Sequence, residues 1–321
     1  MARLRLDHDH LELLDAFART GSLVRAAALL GLTQPALSYR VKEAERRLGV
    51  ALFVRRSGRP VRLTVAAERL LPTAALVIEE MARAEEDVRR MSEGFHYVVR
   101  LGVASRSCFD WLPAFLADFW RFHPEIDVDL AIGLETPVAA ALAGHELDVA
   151  VTAQADPAQV EVHDLFEEPA VALLARDHPL AERSHVRPAD FARYAFVSDE
   201  APPAADPWLR AMLVPAGVTP PRLMASGTPE ATVALIAAGA GIGLTGTRRA
   251  MQCRETANVV CRPLAKDGFA LRWRAAVRAG EGDATPTAFL ADRMSYWCQA
   301  RSTDLAPAVG SVTGQPSINC A

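Results

Sequence analysis

The stretch AAALLGLTQPALSYRVKEAERRLGVALFVRR, residues 26–56, carries the sharpest local signal in this chain of 321 residues. Gly31 closes an alanine-rich helix that starts near Leu23, with Ser22 placed to cap it. Thr33 caps the next helix, and Pro35 falls in its first turn, where a missing N–H costs little. Leu37, Val41, Ala44 and Leu48 recur at helical spacing as an apolar face, and Gly49 stops the helix. The opposite face presents Gln34, Ser38 and Lys42, four residues apart, with Arg40 to one side. Such side chains read base edges and phosphates when a helix enters a major groove. A solvated helix face would carry similar residues, but the Gly31-to-Pro35 turn joins two short helices as a helix-turn-helix requires.

Upstream, Leu11, Leu14 and Phe17 predict a further helix, ended by Thr20-Gly21-Ser22. Downstream, residues 52–63 form a candidate hairpin turning at Ser57-Gly58-Arg59-Pro60. Its Arg55, Arg56, Arg59 and Arg62 suit phosphates or a minor groove; the alternative is an edge strand guarded by charge. Thr64 then caps a long helix to about Ser92. In it Leu70, Ala74, Val77, Met81, Ala84, Val88 and Met91 alternate spacings of four and three, a heptad seam that predicts self-association. Pro72 lies inside this helix, where proline costs ~3 kcal/mol, so a kink or compensating packing is expected.

Beyond Tyr97 the pattern becomes α/β. Strands are expected over 98–104, 128–132, 149–152, 170–174, 195–197, 223–225, 242–245 and 273–277. Helices are expected over 112–122, 138–143, 208–213, 230–238 and 287–300. The alternation predicts parallel sheets with helices on both faces. In two such lobes sharing crossover strands, a ligand sits in the cleft where strand ends meet helix N-termini. Ser105, Ser107, Cys108, Thr152, Ser198, Thr228 and Thr245 fall at those places and suit a carboxylate. Each hydroxyl could equally be a plain helix cap, and Cys108 a small buried hydrophobe. From 303 to 321 the chain has no periodicity and reads as a disordered tail.

Half of the residues are hydrophobic and 23% are charged, an ordinary globular balance. The net charge of -4 divides into +6 over residues 1–65 and -10 over the rest, so a basic first domain faces a polyanion. Cys108, Cys253, Cys261, Cys298 and Cys320 are scattered without metal-ligand spacing, and no metal or cofactor is expected. The N-terminus lacks a signal-peptide pattern, and the longest uncharged run, 231–247, is broken by four glycines. A soluble, cytoplasmic protein with no membrane partner is expected. Gly241, Gly243 and Gly246 satisfy GxGxxG, but a helix precedes and a strand runs through them, unlike a dinucleotide fingerprint. Asp7-His8-Asp9-His10 reads as a helix cap rather than a metal site.

Residues 26–56 also resemble, in residue type and spacing, the signature of LysR-type regulators. Thr64-Val65-Ala66-Ala67 stands where many members carry Thr-Pro-x-Gly. The resemblance implies an all-α winged helix-turn-helix with a linker helix, then a two-lobed α/β effector domain like periplasmic binding proteins. The implied boundaries are 1–63, 64–93 and 94–302, with lobe I over about 94–165 and 267–302 and lobe II over about 166–266. It implies promoter DNA as partner, met by Ser22, Thr33, Gln34, Pro35, Ser38, Tyr39, Arg40, Lys42 and the four wing arginines. A homo-oligomer, dimer or tetramer, and contact with RNA polymerase are further implied. The segments SCFDWL (107–112), PAGVTP (215–220) and AAVRAGE (275–281) resemble the homocysteine-responsive activators of methionine biosynthesis within that family. Homocysteine is the co-inducer this implies; the alternative is another small acid, since Gly243-Leu-Thr-Gly-Thr247 departs from that branch toward hydroxyls. An enzyme on the same two-lobed scaffold is the rival class, but no nucleophile–base set or paired carboxylates stand at recognisable spacing.

Overall fold

The computed structural model describes residues 4–54, 60–134, 136–254, 258–282 and 284–305. The chain divides into two compact units, Met1–Gly94 and Phe95–Ala321.

In the first unit α1 (His8–Thr20), α2 (Leu23–Leu29) and α3 (Gln34–Leu48) enclose a core of Leu13, Leu14, Phe17, Ala26, Leu37 and Val41. Their ends follow the expected chemistry. Thr33 Oγ1 accepts from Ala36 N–H at 3.4 Å, and Gly21 and Gly49 take the left-handed conformation that closes α1 and α3. Asp7 caps α1 and shares a reciprocal pair of 3.3 Å bonds with buried His10. The wing is a short antiparallel ladder of β1 (Phe53–Val54) on β2 (Arg62–Leu63). Glu45 Oε1 accepts from the Leu52 and Phe53 N–H groups at 2.8 and 3.1 Å, tying the wing to α3. Thr64 donates to the Ala51 carbonyl and caps α4 (Val65–Ser92), which runs through Pro72 unbroken. Ala67, at the fourth place of the departing Thr-Val-Ala-Ala, is fully buried.

The second unit is built on β3 (Tyr97–Val103), β4 (Ile126–Ile132), β5 (Val149–Thr152), β6 (Val160–Ala175), β7 (Phe196–Ser198), β8 (Leu223–Ala225), β9 (Gly243–Gly246), β10 (Val259–Pro263) and β11 (Ala270–Arg278). Its helices are α5 (Leu112–Phe122), α6 (Val138–Ala143), α7 (Pro229–Ala237), α8 (Thr247–Arg254), α9 (Pro286–Ala300) and α10 (Ser302–Leu305). The expected all-parallel pairing is corrected. β3 lies parallel to β4 and β5, but β11 is antiparallel to β5 and β6, and β6 is antiparallel to β9 and β10. The reason is β6, expected only over 170–174. Residues 160–169 pair with β11 in one lobe, and 170–175 pair with β9 and β10 in the other. Pro169, which has no N–H to give, stands where the strand changes sheets. The expected helix over 208–213 is a wide π-helical turn, Leu209–Leu213. The expected tail is corrected at its start: its residues up to Leu305 lie on α10, where Leu305 is buried, and 306–321 lie outside the described residues. A strand does run through Gly243 and Gly246, and a Cβ on Gly246 would lie 2.0 Å from the Glu168 carboxylate.

Candidate DNA-facing surface and effector cleft

On α3 the apolar stripe of Leu37, Val41 and Ala44 is spent on the core, which leaves Gln34, Tyr39 and Lys42 exposed and Ser38 half-buried. Thr33 and Pro35 are exposed at its N-terminus, and Ser22 starts α2 without a capping bond from its side chain. Much of the nominal positive charge is spent internally. Arg40 pairs with Asp9 of α1 at 2.8 Å. Arg46 and Arg47 both donate to Glu43, whose carboxyl they hold down at about 2. Lys42 makes no ion pair among the described residues, so it is the free cation of this helix. Arg62 is exposed on β2; Arg55, Arg56 and Arg59 lie outside the described residues. His8, Asp9 and Glu12 bring ligand atoms within 4.8 Å of one another, but Asp9 already serves Arg40.

Along α4 the heptad residues divide. Ala74 is buried and Leu70 half-buried within their own unit, Leu70 against the core that α1 helps to build. Val77, Met81, Ala84, Val88 and Met91 are exposed, an apolar row beside the ion pairs that Glu79, Glu80 and Glu86 make with Arg83, Arg89 and Arg90.

The second unit holds a cleft of about 320 Å³ lined by Ser105, Thr152, Gln154, Asp156, Arg210 and Trp273, with apolar walls from Leu134 and Val138. That volume is in the range of small-molecule sites, about 300–1,000 Å³. Of the residues expected to hold a ligand, Ser105 and Thr152 stand on this cleft, and Cys108, Ser198, Thr228 and Thr245 do not. Cys108 is fully buried, its Sγ accepts from Trp111 Nε1 at 3.4 Å, and burial pushes its thiol well up, so it is a core residue. Ser198 is spent on Asp206, at 2.6 Å, and on the Glu200 N–H. Thr228 is the exposed cap of α7. Thr245 lines a separate cavity of about 20 Å³, room for about one water, so the departing hydroxyl does not face the cleft. The side chain of Ser107 lies outside the described residues.

Buried charge next to the cleft escaped the sequence reading. Glu200 Oε1 accepts from Ser105 Oγ at 2.7 Å and from the Arg106 N–H at 2.9 Å. Burial raises its carboxyl, against the Ser105 bond. Asp199 pairs with Arg249 at 3.1 Å, and Arg249 also reaches the Arg106 carbonyl and Asp110. Asp206, fully enclosed, is pushed up to about 7 by burial. The only sequence trace was the pair Asp199-Glu200 after a strand, with nothing nearby to name its partners.

A winged helix-turn-helix followed in the chain by a two-lobed ligand domain defines a one-component transcriptional regulator. The chain matches the bacterial regulatory helix-turn-helix protein, lysR family, over residues 8–68 and the LysR substrate binding domain over 92–293. It belongs to the LysR family, whose members are DNA-binding regulators and not enzymes. It is similar to the HTH-type transcriptional regulator MetR of Haemophilus influenzae, 32% identical over 278 residues, which are 85% of this chain and 88% of that one. The fold is shared with the regulatory domain of MetR from N. meningitidis, with TM-score 0.57 and 24% identity over 64% of this chain and 94% of that one. It is shared too with full-length CbnR complexed with its target DNA, with TM-score 0.68 and 19% identity over 91% of this chain and 100% of that one. Among the described residues no helix is long and apolar enough to cross a membrane.

Proposed function

We propose that this regulator controls methionine-pathway genes in response to homocysteine. The carrying observation is the likeness to MetR, which extends over the helix-turn-helix and the ligand domain alike. The proposed division is a DNA-binding domain over 1–63, a linker helix over 64–93 and an effector domain over 94–302. Gln34, Ser38 and Lys42 enter a major groove with Tyr39 beside them, and the wing arginines, Arg62 among them, meet phosphates. Arg40 steadies α3 on α1 through Asp9. The apolar row from Val77 to Met91 is the seam of a homo-oligomer, dimer or tetramer, because such a row is unfavourable in water. The protein acts in the cytoplasm, where promoter and RNA polymerase are reached.

The test is genome-wide mapping of bound DNA with and without added homocysteine. Occupancy at promoters of methionine genes that changes with homocysteine is expected. Binding at other promoters, indifferent to homocysteine, would favour a different small acid.

A further inference from the structure

We propose that Arg210 receives the anionic group of the cleft's ligand, and that Glu200 already fills the seat at Ser105 that strand-end reasoning assigns to that group. The inference rests on the effector reading above and deepens it. Ser105 Oγ and the Arg106 N–H are the donors that a carboxylate would use where β3 ends. Both are bonded to Glu200, at 2.7 and 2.9 Å, and the Arg106 guanidinium stands 3.6 Å from the second oxygen of the same side chain. A carboxylate entering there must displace a buried one or share donors with it, and two like charges at one seat repel.

In the remaining polar lining the side chains of Thr152, Asp156 and Gln159 are already bonded. Thr152 Oγ1 accepts from the Gln154 N–H at 3.0 Å. Asp156 gives one oxygen to the Ala158 N–H and the other to the Gln159 amide. Arg210 is exposed, is the one cation among the described lining residues, and its guanidinium has no ion pair or hydrogen bond among the described residues. The cleft therefore offers one unpaired cation for an anionic group, while Asp156 keeps its negative charge at another point of the lining. Beside it Leu134, Val138 and Trp273 supply an apolar wall. The ligand class that fits is a small carboxylate with a short apolar or thiol-bearing chain, its acid end on Arg210. A planar guanidinium binds a carboxylate through two parallel bonds, which lysine cannot reproduce.

The experiment is calorimetric titration of the full-length protein with homocysteine, methionine and O-acetylserine, repeated on Arg210→Ala, Arg210→Lys and Glu200→Gln. Arg210 is exposed, so melting curves check that each variant is folded. The acid that binds the wild type should weaken roughly tenfold or more in Arg210→Ala and recover part of this in Arg210→Lys. Its primary amide should lose a similar factor on the wild type and nothing further on Arg210→Ala. Glu200→Gln should move the affinity less than Arg210→Ala. Tighter binding in Glu200→Gln with no effect of Arg210→Ala would place the ligand's acid at Ser105 and overturn the inference. Homocysteine bound equally by wild type and Arg210→Ala would sink this inference alone. Another acid bound through Arg210, with homocysteine silent, would sink the homocysteine reading alone. No heat from any of the three would count against both.

Discussion

Replacing Glu168 with glutamine should flatten the acid side of the stability profile. Glu168 sits on β6 one residue before the strand changes lobes and is 1% exposed. Trp273 Nε1 donates to its Oε2 at 3.0 Å, and the Arg248 backbone N–H donates to the same carboxyl. Burial outweighs the nearby Arg248 charge and these two bonds, so the carboxyl is pushed up to about 7. The folded chain then keeps a proton that the unfolded chain releases at the ordinary value of 4.5. The stability this protonation contributes is fully present below 4.5 and is lost as pH rises through about 7. From 4.5 to about 7, at about 1.4 kcal/mol per pH unit, the loss is roughly 3 kcal/mol. Glu168→Gln has nearly the same shape and does not titrate, so the variant should gain that amount relative to wild type across the window. Any fixed cost of seating the amide shifts its curve without tilting it. Asp206, also raised to about 7, titrates in both proteins and cancels in the difference. The assay is urea unfolding followed by tryptophan fluorescence at steps between pH 4.5 and 8. Parallel profiles for the two proteins would refute the reasoning, because they would mean that Glu168 titrates alike in the folded and unfolded chains.

Gln34→Ala should cost roughly 1–3 kcal/mol of discrimination at one base position while leaving the melting curve in place; unchanged sequence preference in a binding-selection assay would remove Gln34 from the interface. Val88 is 66% exposed in the single chain, so Val88→Asp should leave the chain folded yet bury an unpaired charge at the seam. Light scattering should then report a smaller species, and a wild-type mass at low micromolar concentration would count against the seam.

How far the fold was legible follows from how local each determinant is. The helix-turn-helix was readable because its instructions lie within a few residues of their effects. Thr33 caps three residues ahead, Gly49 stops the helix it follows, and the stripe Leu37–Val41–Ala44 packs as its spacing demands. The heptad period was readable too, but its burial was not. Leu70 packs against the core that α1, some fifty residues upstream, helps to build, and Ala74 is buried too, so the exposed row starts only at Val77. In the second unit Glu167-Glu168-Pro169 looks like a break between strands, with two acids and a residue lacking N–H. It is instead the middle of the longest strand, carried across by antiparallel partners from 259–263 and 270–278.

The site was half legible for the same reason. Ser105 and Thr152 could be placed on the cleft because a strand end near a helix start is a local pattern. Cys108 and Ser198 satisfied that pattern equally, yet their chemistry is consumed by Trp111 and Asp206. Glu200 could not be found at all, since its partner Ser105 lies 95 residues away. Acids are normally assigned to the surface, and this part of the chain has a large acidic excess in which no single carboxylate stands out. Asp199, Glu200 and Asp206 are buried nonetheless, because Arg249, the Ser105 hydroxyl and the backbone of the Leu209 turn meet them there. Once those pairings are known, the charge left over carries the information. Ligand preference in such a cleft depends on the groups the fold has not already used, and here the unpaired cation among them is Arg210.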